Sequence, residues 1–228
     1  MKKNILVIVA HPDDEVLGCG GTLSKFSKLG YKINVAFFSD GVAARSLKST
    51  KKIKDILQRK KSSYKAAKIL GVNKMEFFNL PDNQFDKISL LEIVKLIEKL
   101  IKKYSPSTIF THYDNDLNID HNIISKAVVT ATRPYLNSSV KKLLFFEVPS
   151  STEWNFSSSP KLFSPNYFVN ITNDLQTKLK AMKCYAQELR KWPHPRSLEG
   201  ITNLAKVRGS ACGLKSAESF IIIREIIT

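Results

Sequence analysis

The apolar run Ile5-Leu6-Val7-Ile8-Val9-Ala10 passes without a break into His11-Pro12-Asp13-Asp14-Glu15. This junction constrains the chain more than any other segment. A short run that is apolar at every position and rich in β-branched residues reads as a strand buried on both faces, as in a parallel sheet covered by helices. In open α/β folds the loops at the carboxyl ends of such strands carry the chemistry. One imidazole and three carboxyls within five residues form a hard ligand set for a divalent metal, with a carboxylate to spare as a base. Taken alone, the same cluster also reads as a solvated loop that caps the next helix. The rest of the chain decides between the two.

The alternation continues along the chain. Strands are expected over 4–10, 32–38, 75–79, 108–111 and 141–148, and helices over 22–29, 51–70, 89–104 and 122–133. The pattern predicts an α/β fold: a Rossmann-like, doubly wound, mostly parallel sheet. A C-terminal extension would hold a Ser/Pro-rich loop over 150–165, a strand over 167–171, a helix over 175–189 and a short helix from about 211 that carries Glu218. Tyr64, Ala67 and Leu70 mark the inward face of the long helix, and Leu91, Val94, Ile97, Leu100 and Ile101 that of the next. Gly18, Gly20 and Gly21 would allow close backbone approach where the first helix opens. They lack the GxGxxG spacing, so a dinucleotide fingerprint is not supported. At 228 residues, with no repeat and no visible boundary, residues 1–228 read as one domain. His11 to Glu15, Asp40 to Arg45, Asp82 and His112 to His121 all follow strands. Parallel topology brings them to one sheet edge.

Composition narrows the classes. The chain is 43% hydrophobic and 25% charged, and no apolar run approaches the ~20 residues of a membrane span. The Met-Lys-Lys start followed by apolar residues imitates a signal peptide, but charged residues follow at once and no small-residue cleavage site is visible, so a first strand is expected. Cys19, Cys184 and Cys212 form no CxxC pair, which favours a reducing, cytoplasmic location. The net charge is +16, densest between Lys48 and Lys68. Such a surface attracts nucleic acid, anionic membrane or a phosphorylated substrate, or simply decorates solvated helices. No zinc-finger spacing and no RNP-like aromatic motif is present, so no specific nucleic-acid partner is expected.

All four histidines, His11, His112, His121 and His194, fall in chemically suggestive settings. His11 and His112 end strands, His121 begins a helix after Asp120, and His194 is braced between Pro193 and Pro195. Asp114, Asp116, Asn118 and Asp120 imitate a calcium loop, but Ile119 stands where glycine is needed and Ser125 where glutamate is needed. His121 makes better sense as a zinc ligand beside a carboxylate.

With these residues in view the chain resembles the LmbE/PIG-L family of zinc-dependent N-acetyl-sugar deacetylases. The resemblance rests on AHPDDE at 10–15, LGCGGTL at 17–23, DxNxDH at 116–121, PHPRS at 193–197, EGI at 199–201 and RGxxxGLxxAExF at 208–220. It implies that His11, Asp14 and His121 bind Zn2+, with a position left for water, and that Asp13 is the general base. Many members carry a histidine where this chain has Asn118. His194 is the expected substitute as proton donor, with His112 next in line. Asp120 and His112 are expected to orient a ligand or Asp13. Asp82 resembles the acceptor of a sugar hydroxyl, and Arg45, Arg196 and Asn118 complete the expected substrate-binding set. The implied reaction removes the N-acetyl group from an N-acetylated amino sugar or its conjugate. The expected partner is that small molecule, and an anionic, nucleotide-linked form suits the basic surface. Self-association is left open. Two rivals stand beside this reading: a metal-dependent hydrolase of a non-sugar amide, and a nucleotide- or RNA-binding module without chemistry.

Overall fold

The computed structural model describes residues 3–41, 49–136, 138–156 and 161–227. The chain alternates β1 (Asn4–Val9), α1 (Asp14–Lys28), β2 (Lys32–Ser39), α2 (Ser49–Leu70), β3 (Lys74–Leu80), α3 (Leu90–Tyr104), β4 (Thr108–His112), α4 (Ile119–Ala131) and β5 (Lys142–Phe146). Beyond it come β6 (Tyr167–Asn170), α5 (Leu175–Met182), α6 (Leu198–Ser210) and β7 (Ala217–Glu225). The seven strands form one sheet in the order β3-β2-β1-β4-β5-β7-β6. β1 to β5 pair in parallel, and β7 runs antiparallel between β5 and β6. The strand order reverses between β1 and β4, the point where open α/β sheets leave a crevice at their carboxyl edge.

β1 feeds two cores, which is why its sequence is apolar at every position. Ile5, Val7 and Val9 face α1, α2, α5 and α6, while Leu6, Ile8 and Ala10 face α3 and α4. Successive strand residues point to opposite faces, so a two-sided sheet demands both sets.

Several elements differ from expectation. α1 starts at Asp14 and runs through the glycines instead of opening after them. A Cβ on Gly18 would lie 2.2 Å from the Phe146 ring, and one on Gly21 would lie 2.9 Å from Ile171. These glycines therefore serve tight helix-on-sheet packing. The helix is kinked at Cys19 (φ −145°), and Glu218 mends the break by accepting Gly21 N at 2.9 Å and Thr22 N at 2.6 Å. Buried Lys178 completes the repair, donating to Glu218 at 2.6 Å and to the Leu17 carbonyl at 2.8 Å. Glu218 thus sits on β7 rather than on a helix begun near residue 211. α6 was not expected. It is capped by Ser197, whose Oγ accepts Gly200 N at 2.8 Å. The helix expected over 175–189 ends at Met182. On α2, Ala67 and Leu70 are buried but Tyr64 is 54% exposed, and on α3 Leu91 is exposed while Ile93 turns inward. None of the helices among the described residues is long and apolar enough to cross a membrane. Cys19, Cys184 and Cys212 are free thiols.

Candidate active site

The carboxyl ends of β1 and β4 and the first turn of α4 meet at one carboxylate oxygen. Asp14 Oδ2 accepts His11 N at 2.8 Å and lies 3.5 Å from His11 Nδ1, 3.4 Å from His121 Nε2 and 3.5 Å from His112 Nε2. Each of the two outer imidazoles has a second carboxylate behind it. His11 Nε2 is 3.0 Å from Asp120 Oδ2, and His121 Nδ1 is 3.1 Å from Asp116 Oδ1. A carboxylate that holds the far nitrogen while the near one faces a shared point is the usual support of a metal-ligating histidine. Neither ring nitrogen of His121 makes a well-formed hydrogen bond, although the ring is fully buried. Buried polar atoms are normally satisfied, so this pair fits a cation-binding role. The ligand atoms of His11, Asp14 and His121 lie within 4.8 Å of one another, and those of His11, Asp82 and Asp120 form a second group of that size. The second fits less well, because Asp120 already accepts Asn83 N at 2.7 Å and Phe85 N at 3.0 Å.

Local sequence explains the placement. Asn118 caps α4 by accepting Asp120 N at 2.9 Å, which starts the helix early enough to turn His121 inward. Asp116 is locked by the Ser151 and Thr152 hydroxyls and by Asn118 N. Although burial raises it, the facing His121 holds its carboxyl down at about 2. Burial likewise lowers His121, yet Asp14 and Asp116 lift it to about 9 in the metal-free chain.

Asp13 sits at φ 121°, a conformation that strains any residue except glycine. Its amide donates to Glu15 Oε2 at 3.0 Å, and its carbonyl receives Val16 N and Leu17 N as α1 begins. Its carboxylate faces Arg196 at 3.3 Å and Arg59 at 3.7 Å. Burial raises the carboxyl to about 6 against the pull of Arg196 and Arg59. Arg59 is buried; its Nη2 pairs with Glu188 at 2.5 Å and also donates to the Gly41 carbonyl, and its Nη1 donates to the Pro12 carbonyl. Sequence reading gave no site role to Arg59, Glu188 or Asp116, although Asp116 stands in the DxNxDH motif. Arg59 lies within a lysine run, and Glu188 is far away in sequence.

A polar cavity of about 60 Å³ opens beside this centre, lined among others by His11, Asp13, Asp14, Asp82, Asn118 and Arg196. The expected residues at 11, 13, 14, 82, 118, 121 and 196 therefore come together. Asp82 Oδ1 is 3.1 Å from His11 Nε2, and Asn118 donates to Asn83 Oδ1 at 3.0 Å. Asp120 and His112 are fully buried behind the centre and do not line the cavity. His112 stacks on His121 with centroids 3.8 Å apart, and its Nε2 accepts Ala10 N at 2.9 Å. His112 is therefore the neutral tautomer, in keeping with the burial that lowers its pKa. His194 does not line the cavity either. Its ring packs edge-on against Trp154, and its Nδ1 accepts Arg196 N at 3.0 Å. Arg45 lies outside the described residues.

Residues 6–132 match the family described as PIG-L, GlcNAc-PI de-N-acetylase. The chain is 29% identical over 188 residues to an uncharacterized deacetylase, YaiS, of Escherichia coli strain K12, covering 80% of this chain and 90% of that protein. It is 26% identical over 193 residues to diacetylchitobiose deacetylase of Thermococcus kodakarensis, covering 82% and 70%. The fold is also that of 4-carboxy-2-hydroxymuconate hydratase of Pseudomonas putida KT2440, with a TM-score of 0.77 at 21% identity over 100% of this chain and 98% of that one. A shared fold does not carry a shared reaction, but the family match spans more than half of the 228 residues. The chain belongs to the PIG-L family.

Proposed function

We propose that the chain is a zinc-dependent deacetylase that removes the N-acetyl group from an N-acetylated amino sugar or a conjugate of one, releasing acetate and a free amine. The observation that carries this reading is Asp14, held between His11 and His121 with Asp13 one residue earlier at the wall of a polar cavity. The Thermococcus relative is a diacetylchitobiose deacetylase by name, which supports the sugar. Two imidazoles and a carboxylate are a donor set that zinc takes readily, and three protein ligands are the usual number at a catalytic zinc. When bound, zinc supplies a Lewis acid that polarises an amide carbonyl and acidifies water.

Asp13 accepts the proton of the attacking water. Its carboxyl titrates at about 6, so near pH 7 it is mainly the base. Arg196 and Arg59 hold its orientation. The departing amine also needs a proton. Burial, Arg190 and Arg196 lower the pKa of His194, and the ring does not line the cavity. Asp13, once protonated, is the group beside the reacting atoms that returns the proton. Asp82, Asn83 and Asn118 line the cavity as acceptors and donors for sugar hydroxyls. Arg59 and Arg196 both face the carboxylates Asp13 and Glu188, and Asp14 and Asp82 add two more carboxylates to the cavity wall, so it suits a neutral sugar better than an anionic one.

The test is acetate release from N-acetylglucosamine, N,N'-diacetylchitobiose and a nucleotide-linked N-acetyl sugar, alongside the zinc content of dialysed protein. One zinc per chain with acetate from an N-acetyl sugar is expected. Fully metal-loaded protein that releases acetate from none of them would overturn the proposal.

A further inference from the structure

α2 presents an outward face that no other element among the described residues covers. Ile53, Leu57 and Tyr64 are 62%, 56% and 54% exposed. At roughly 100° per residue they fall within about 40° of one another on the helix. Lys60 flanks this stripe on one side, and Lys54, Lys61, Lys65 and Lys68 flank it on the other, all exposed. Asp55, the acidic residue of α2, lies on the opposite side. The stripe continues onto β3, an edge strand, where the Phe77 ring lies 5.8 Å from Tyr64 and under Lys60 Nζ at 4.8 Å. A groove of about 150 Å³, with Pro12, Leu57 and Phe77 among its apolar lining and Asp40, Arg59 and Lys60 among its polar lining, runs from the stripe to the catalytic loop. Arg59 lines both this groove and the catalytic cavity.

An apolar stripe bordered by lysines is the pattern of a helix that lies in a membrane interface, with its apolar side chains at the acyl boundary and its cations among anionic headgroups. A second copy of the chain is the rival occupant. It would bring the same lysines against these, and the chain carries a net charge of +16, so like charge opposes that pairing. We propose that α2 docks the protein on anionic lipid bilayers, with Ile53, Leu57 and Tyr64 at the acyl boundary and Lys54, Lys60, Lys61, Lys65 and Lys68 on the headgroups. The catalytic cavity then opens beside the bilayer surface. Docking itself does not depend on the deacetylase reading and is measured without turnover.

The experiment is sedimentation of the full chain with vesicles of phosphatidylcholine and phosphatidylglycerol, against phosphatidylcholine alone. Binding is expected to the anionic vesicles, falling as salt rises. The double variant Lys60→Ala/Lys61→Ala should weaken it about 25-fold, at roughly fivefold per lysine near the surface. Ile53→Ser/Leu57→Ser should weaken it as well. Lys99→Ala/Lys102→Ala on α3, across the sheet, should bind as the unaltered chain does. All six positions are exposed, so these variants keep the fold. Three outcomes overturn the proposal: equal or absent binding to both vesicle types, equal losses from the α2 and α3 lysine pairs, or a dimer by light scattering that Leu57→Ser dissolves while vesicles go unbound.

Discussion

Glu15→Leu probes how the strained Asp13 backbone is held. Glu15 is 2% exposed, with one oxygen accepting Asp13 N at 3.0 Å and the other accepting Tyr185 OH at 2.6 Å. Burial, joined by the nearby Asp13 carboxylate, pushes its carboxyl up to about 8, against the pull of these two donors. Near pH 7 the group is therefore mainly the neutral acid: one oxygen accepts Asp13 N, and the other shares its proton with the Tyr185 hydroxyl, which both donates and accepts. In Glu15→Leu both oxygens are lost and the buried Asp13 N–H is left unpaired. That costs about 1–3 kcal/mol, or roughly 2–12 °C in Tm at about 2–4 °C per kcal/mol for a chain of this size. With Asp13 N released, the φ of 121° loses its support and the base moves. A misplacement on the order of 1 Å lowers kcat by about 10²-fold. Tyr185→Phe removes the other donor and leaves Asp13 N paired, so Tm should drop by about half as much and kcat should stay within a few-fold. Thermal unfolding and acetate release on metal-loaded protein measure both. A silent Glu15→Leu would mean that the Glu15 carboxyl does not hold the Asp13 backbone and would refute the argument. The raised folded-state pKa should also make the unaltered chain lose stability relative to Glu15→Leu as pH climbs from 4.5 to about 8.

Asp13→Asn should keep its zinc and lose roughly 10²–10⁴-fold in kcat; metal analysis beside acetate release checks it, and near-normal turnover would move the base elsewhere. His194→Ala should leave kcat and its pH profile within a few-fold, because a lowered pKa keeps the ring neutral at pH 7; a collapse of the acidic or basic limb would restore His194 as proton donor. Asp116→Asn should weaken zinc affinity about 10–100-fold in a chelator competition, since Asp116 backs His121 Nδ1 at 3.1 Å.

The parallel half of the fold was legible because each β-strand and its helix announce themselves within about twenty residues of sequence. The alternation placed β1 to β5 and their order of appearance, and the two-sided burial of β1 follows from its unbroken apolar run. The misses came where long-range contact sets local structure. The helix was expected only over 22–29, yet α1 runs through Gly18, Gly20 and Gly21, where Phe146 and Ile171 press against the helix and Glu218 caps its break. α6 was hidden for the same reason. Its Gly200 and Gly209 look like breakers, but a Cβ at either would lie 2.6 Å from a backbone carbonyl, of Pro195 and Leu214 respectively. In this protein glycine marks close approach as often as it marks a turn.

The candidate centre divides along the same line. His11, Asp13, Asp14 and His121 occupy short motifs whose spacing carries their chemistry, so their convergence could be read from the loops that follow β1 and β4. Arg59 and Glu188 could not, because a buried arginine in a lysine run differs from its neighbours only by the partner it meets 129 residues away. The Pro193-His194-Pro195 turn shows the limit most sharply. Arg196 of this segment lines the cavity, but a turn presents its side chains in different directions. His194 N bonds the Lys191 carbonyl and Ser197 N bonds the His194 carbonyl. This tight reversal sends the His194 ring to Trp154 and the Arg196 guanidinium to Asp13. Residue type alone favoured the histidine for proton transfer. The backbone gave the position to an arginine, which cannot exchange a proton at neutral pH but can fix the carboxylate that does.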